Sequence, residues 1–75
     1  MDAPELIKAL QRIGYRVVRQ TGSHIRLQSD HPTPHALTIP NHSPLKVGTL
    51  SAILGAIAEH RAIAKDALIQ SLLDA

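Results

Sequence analysis

One histidine in this chain stands where an imidazole could act on a substrate. His24 lies in the run Arg19-Gln20-Thr21-Gly22-Ser23-His24-Ile25-Arg26-Leu27, a turn signal feeding an alternating strand. A free imidazole titrates near pH ~6.5, so it can accept and return a proton at neutral pH. Metal-free cleavage of RNA needs such a group. A base removes the 2′-hydroxyl proton, and the freed oxygen attacks the adjacent phosphorus. A positioned acid–base group contributes roughly 10²–10⁴-fold to such a step. Arg26 and Arg16 could hold the phosphate and offset its developing charge. The competing reading is an exposed histidine without a chemical role, and the pattern alone leaves both open.

The other polar candidates carry weaker signals. His31 and His35 lie four apart beside Asp30, but metal sites use that spacing on a helix, and Pro32 and Pro34 rule a helix out. A solvated loop is expected there, and no metal. His42, just past a strand end in Ile39-Pro40-Asn41-His42-Ser43-Pro44, could touch substrate or simply shape its loop. His60 suits the C-terminal end of a helix, where positive charge is favoured. Ser23 has no histidine and carboxylate placed to complete a hydrolase triad. Neither a Walker motif nor a dinucleotide-binding glycine pattern occurs, so no cofactor is expected. Tyr15 is the only aromatic residue, which excludes recognition by stacked bases.

The elements that must position His24 follow from hydrophobic period. Asp2 can cap a helix that spans about residues 3–13, with Pro4 in its first turn, Glu5 placed as in a capping box, and Gly14 ending it. Leu6, Ile7, Leu10 and Ile13 make its apolar stripe. Alternation predicts strands over residues 15–20, 24–29 and 36–40, with residues 30–35 as a loop and Pro40 closing the last strand. A three-residue loop, Thr21-Gly22-Ser23, would pair Gln20 with His24, Val18 with Arg26 and Val17 with Leu27. That register puts His24, Arg26, Arg16, Gln20 and Val18 on the face away from the core. Leu37 and Ile39 point to the core, and Thr38 points out. A second helix starts near Lys46, with Val47, Leu50, Leu54 and Ile57 as its stripe and Ile53 beside it. A short third helix over about residues 65–73 offers Leu68, Ile69, Leu72 and Leu73 to a local core or to a second copy of the chain. A sheet of three short strands cannot wrap itself, so helices must cover one face and leave the other wet. The expected fold is α+β: a dsRBD-like α-β-β-β-α sandwich, with an antiparallel sheet and an extra C-terminal helix.

Composition sets the outer bounds. At 75 residues the chain is expected to be one domain, residues 1–75. It has no cysteine, which removes disulfides and thiolate zinc sites and fits a reducing, cytoplasmic setting. The most apolar run, Val47 to Ala58, is broken by Gly48, Thr49, Ser51 and Gly55, so no membrane span is expected. No basic-then-apolar leader opens the sequence, so a secretory signal is not expected either. The net charge is +2, but residues 1–29 carry five cations against two acids and the remainder carries three against four. The basic half is the half that holds His24. Arginines there suit phosphate, whose oxygens match the guanidinium fork.

Gly22-Ser23-His24, then Ile39-Pro40-Asn41-His42, then Leu45-Lys46-Val47-Gly48-Thr49-Leu50 with Ile53-Leu54, together resemble the HicA (YcfA-like) toxins of prokaryotic toxin–antitoxin pairs. The resemblance runs from about residue 5 to residue 58. It implies a dsRBD-like fold and an mRNA interferase that cleaves mRNA independently of the ribosome and halts growth. It places the catalytic histidine of the Gly-Ser-His motif at His24. It also implies an antitoxin partner of the HicB type that covers the active surface. With the residues read above, the expected RNA contacts are Arg16, Arg19, Gln20, Ser23 and Arg26, and mRNA is the expected substrate. Two alternatives remain: a noncatalytic RNA-binding module on the same fold, and a protein-interaction module whose open sheet serves only a partner. The tail after His60 extends past the resemblance and is expected to pack locally or to mediate homo-oligomer formation.

Overall fold

Asp2 sets where the first helix begins. In the computed structural model, which describes residues 1–74, the Asp2 carboxylate accepts the Glu5 backbone N–H at 2.9 Å, one half of the expected capping box. Helix α1 runs Ala3–Arg12 with proline in its first turn. Ala3, Leu6, Ala9 and Leu10 form its buried stripe, and Ile7 and Ile13 pack beside the core. Gly14, at φ +105°, takes the left-handed conformation that turns the chain out of the helix.

Three antiparallel strands follow, β1 (Arg16–Thr21), β2 (His24–Ser29) and β3 (His35–Pro40), with β2 in the centre. The first hairpin departs from the expected register. Its loop is Gly22-Ser23, not Thr21-Gly22-Ser23, so Thr21 pairs with His24, Gln20 with Ile25 and Arg19 with Arg26. Gly22 supplies the positive φ, +57°, that tight hairpin loops require. Continued unbroken, this register would set Val17 opposite Gln28 on the polar face. Instead the ladder slips between Val17 and Arg19, and Val17 meets Leu27 as expected, with Arg16 opposite Gln28. Val18 is thus the extra residue of a β-bulge. The reason is the strict two-residue period of side chains along a strand. A tight loop and an apolar partner for the fully buried Leu27 can coexist only if one residue leaves the ladder.

In β3, Leu37 pairs with Leu27 and Ile39 with Ile25 towards the core, while Thr38 pairs with Arg26 on the other face. His35, expected in the preceding loop, instead opens the strand opposite Ser29. It is held there by a hydrogen bond to Tyr15, which the strand pattern does not reveal.

Helix α2 (Val47–His60) and helix α3 (Lys65–Asp74) complete the chain. Ile53, Leu54, Ile57 and Ala58 of α2 are buried. Val47, expected to head that stripe, is 84% exposed, because α2 meets the core only from Leu50 onward. Leu68 and Leu72 of α3 join the same core, whereas Ile69 and Leu73 stay exposed. Ile25, Leu27 and Ile39 share that core with the helices, while the alternate residues His24, Arg26 and Thr38 face water. The architecture is therefore α+β, in the order α-β-β-β-α-α, with helices on one face of an open sheet. Among the described residues, no helix is long and apolar enough to cross a membrane.

Two substitutions test this packing. A Cβ at Gly55 would meet nothing within 4 Å, so Gly55→Ala should stabilise the fold by up to about 1 kcal/mol through helix propensity. Leu27→Ala, in the middle of the core, should cost about 2–5 kcal/mol. Urea unfolding of the two variants beside the parent chain measures both signs.

Candidate nucleic-acid interface

The open sheet face carries a shallow depression of about 290 Å³ lined by Arg19, Thr21, His24, Arg26 and Thr38. These residues come from all three strands by simple pairing. Thr21 and Pro40 flank His24 across the sheet, and Arg19 and Thr38 flank Arg26. Paired residues share a face. The site is thus two adjacent rungs of the ladder, one centred on the imidazole and one on a pair of guanidinium groups.

The second rung is electrostatically unfavourable by itself. Like charges directly opposite on a sheet destabilise it, and among the described residues no carboxylate lies within 4 Å of Arg19 or Arg26. Arg26 donates from Nη1 to Thr38 Oγ1 at 3.4 Å. An anion laid on this face would find two exposed, uncompensated guanidinium groups beside an exposed imidazole. Arg16 reaches the same face one rung further along, opposite Gln28. There it donates to the Asp30 carboxylate at 3.2 Å, with both side chains largely exposed.

Most of the expected site residues come together here. His24, Arg26, Arg19 and Arg16 share the open face. Gln20 does not: the shorter loop sets it opposite Ile25, on the helix side of the sheet. Val18, expected on the open face opposite Arg26, is the bulge residue instead. Ser23 sits in the hairpin loop next to His24, and its carbonyl accepts the Asn41 N–H at 2.6 Å. That bond extends the β2–β3 pairing beyond Pro40 and ties the hairpin tip to the following loop. His42 is exposed in that loop, and its carbonyl accepts the Ala3 N–H at 3.1 Å, so its backbone anchors the start of α1. Thr21 and Thr38 are lining residues that the sequence reading did not single out. Thr38 was legible, since it alternates with Leu37 and Ile39. Thr21 was hidden by the loop assignment.

A second polar cluster lies on the other side of the sheet, and spacing gave no hint of it. Tyr15 Oη and His35 Nδ1 share a hydrogen bond of 2.8 Å. The His35 ring stacks on His60 at 4.2 Å between centroids. His60 Nε2 donates to the Thr33 carbonyl at 3.0 Å. Arg61 lies 5.3 Å above the Tyr15 ring and donates to the Ile13 carbonyl at 2.6 Å. Burial raises the Tyr15 pKa, with Arg61 opposing. Burial also lowers the His35 pKa below 6.5, and His60 and Arg61 push it the same way. His31 does not join this cluster, and among the described residues no group of three or more His, Cys, Asp or Glu side chains could hold a metal ion.

The site thus belongs to a small α-β-β-β-α unit whose open face presents one imidazole among arginines. A family model described as the HicA toxin of bacterial toxin–antitoxin systems matches residues 3–59, most of the chain. The chain belongs to the HicA toxin family. No curated protein and no solved structure matches it. Every residue of the two rungs lies inside the matched segment, whereas Arg61 and α3 lie beyond it.

The His35 environment has a measurable consequence. Folding disfavours the charged ring, so as pH falls below about 6.5 the unfolded chain takes up the proton first. Stability from this group is complete above that value and declines as pH falls towards the lower folded-state pKa. Urea midpoints at pH 7.5 and pH 5.5 should therefore differ, with the lower pH less stable. His35→Asn should shrink that difference, and an unchanged difference in the variant would refute the assignment.

Proposed function

We propose that this chain is the toxin of a type II toxin–antitoxin pair and acts as a ribosome-independent mRNA endonuclease, with His24 as the proton-transfer group. The observation that carries this reading is the position of His24 on the rung next to two guanidinium groups that, among the described residues, no carboxylate neutralises. Membership of the toxin family supports the biological role.

The chemistry follows from that arrangement. Arg19 and Arg26 hold a backbone phosphate over the second rung. His24 removes the proton from the neighbouring 2′-hydroxyl. The 2′ oxygen bonds to phosphorus and the bond from phosphorus to the 5′ oxygen breaks. The products are a 2′,3′-cyclic phosphate and a 5′-hydroxyl, the departing oxygen being protonated by water or by the imidazolium. The guanidinium groups offset charge that gathers on the phosphoryl oxygens. No metal takes part in this scheme. Thr21 and Thr38 border the site and can offer hydroxyl donors. The partner is an antitoxin of the HicB type that covers this face and keeps RNA from it.

Purified chain and a short RNA test the scheme. His24→Ala should lower the cleavage rate by about 10²–10⁴-fold with unchanged thermal stability, since His24 is exposed. Cleavage should persist in EDTA, and a 2′-deoxy residue at the cut site should block it. Wild-type cleavage by His24→Ala would end the assignment. Salt-sensitive binding without cleavage by the parent chain would favour a binding module, and no salt-sensitive binding would favour a surface for protein alone.

A further inference from the structure

The open face has a third rung that the depression leaves out. Thr21–His24–Pro40 and Arg19–Arg26–Thr38 are followed by Arg16–Gln28–Ala36. Successive same-face rungs lie roughly 7 Å apart, twice the rise per strand residue. Guanidinium groups therefore recur along the strand axis from the second rung to the third, as phosphates recur along one extended nucleic-acid strand. The third rung differs from the second in one respect. Its arginine is engaged, by Asp30 at 3.2 Å through a single guanidinium nitrogen, with 54% and 67% of the two side chains exposed.

We propose that Arg16 is a third phosphate contact, and that Asp30 competes with RNA for it and so attenuates the length of strand the face can grip. The inference rests on the RNA-cleaving reading above and deepens it. A single-contact ion pair this exposed is weak and screened by salt. A phosphate, which accepts both arms of the guanidinium fork, can displace the carboxylate. The contact is sequence-blind, since a phosphate is the same beside every base. Arg16 therefore extends the footprint without adding base preference. A dinucleotide spanning the first two rungs would not feel it. A longer single strand would.

The test uses the full chain carrying His24→Ala, so that RNA stays intact, and fluorescein-labelled single-stranded RNAs of two and eight nucleotides. Anisotropy is titrated over a series of salt concentrations. Asp30→Asn should tighten binding of the octamer and steepen its salt dependence by about 0.7 in log–log slope, one added phosphate contact on a single strand. The dinucleotide should be unaffected. Arg16→Gln should abolish the gain, so that the double variant behaves as Arg16→Gln alone. Asp66→Asn on α3 controls for the loss of any one negative charge. An unchanged octamer slope in Asp30→Asn, or the same gain with Arg16→Gln present or from Asp66→Asn, overturns the proposal while leaving the RNA reading standing. Absence of salt-dependent binding to either RNA overturns both.

Discussion

A single residue left out of a ladder governs what both sides of this sheet display. Residues 16 and 19 are an odd number apart, so an unbroken β1 would send their side chains to opposite faces. The bulge at Val18 cancels that parity. It brings Arg16 and Arg19 to the face that carries His24 and Arg26. It also turns Tyr15 inward, where it is 2% exposed and bonds His35. Without the slip, the hairpin tip could keep its tight loop, but Tyr15 would face water and Arg16 would face the helices. Bulges often sit beside functional surfaces because they re-aim side chains. Here the re-aiming assembles a basic face and completes a core in one step.

The two faces are under opposite demands. The helix side follows the ordinary logic of burial: Leu27, Ile39, Leu6, Leu10 and Ile57 are fully covered, and the polar atoms of Ser29 and Tyr15 have partners. The open side keeps a like-charged rung, Arg19 against Arg26, that no carboxylate among the described residues relieves. Stability alone would select a carboxylate or a neutral residue at one of those positions. On the function proposed above, a sheet face that tolerates this repulsion would be preorganised for the phosphate, since the favourable partner is supplied only on binding. The same reasoning gives Arg19 and Arg26 more weight than Arg16, whose charge already has a neighbour.

The sequence made the architecture legible because its strongest signals are local. Asp2, Pro4 and Gly14 bracket α1, and the stripes of Leu6 and Leu10 or Leu54 and Ile57 follow helical spacing without ambiguity. The alternation of Ile25 and Leu27 placed His24 and Arg26 together on the wet face, which is where they are. What was not legible is what depends on parity across the hairpin. Whether the loop holds two residues or three shifts the partners of Arg19, Gln20 and Thr21, and Thr21-Gly22-Ser23 supports either choice. The apolar pairing of Val17 with Leu27 was recoverable because both readings must satisfy it. Gln20 moved to the helix side and Thr21 from the expected loop to the open face, because only a bulge reconciles that pairing with the tight loop, and a bulge at Val18 has no mark in composition. The Tyr15–His35–His60–Arg61 cluster escaped for a different reason. Its members lie up to 46 residues apart, and nothing in their spacing brings them together before the helices dock.

That cluster also explains why Asp30 lies where it can reach Arg16. Ser29 is the last residue of β2, fully buried, and its hydroxyl is within 3.3 Å of the His31 backbone N–H and 3.5 Å of Arg61 Nη2. Arg61 is itself held by the Ile13 carbonyl at the end of α1. Asp30 sits between Ser29 and His31, so the chain that carries it is pinned on both sides from beneath. The exposed carboxylate is therefore not free to wander from the third rung, although its bond to Arg16 is weak by itself. A short ion pair at the surface ordinarily says little about stability, because two flexible side chains must be held in one geometry. Here the backbone supplies much of that restraint through a buried serine and an arginine from the end of α2. The geometry at the edge of the open face thus depends on contacts made on the opposite side of the sheet.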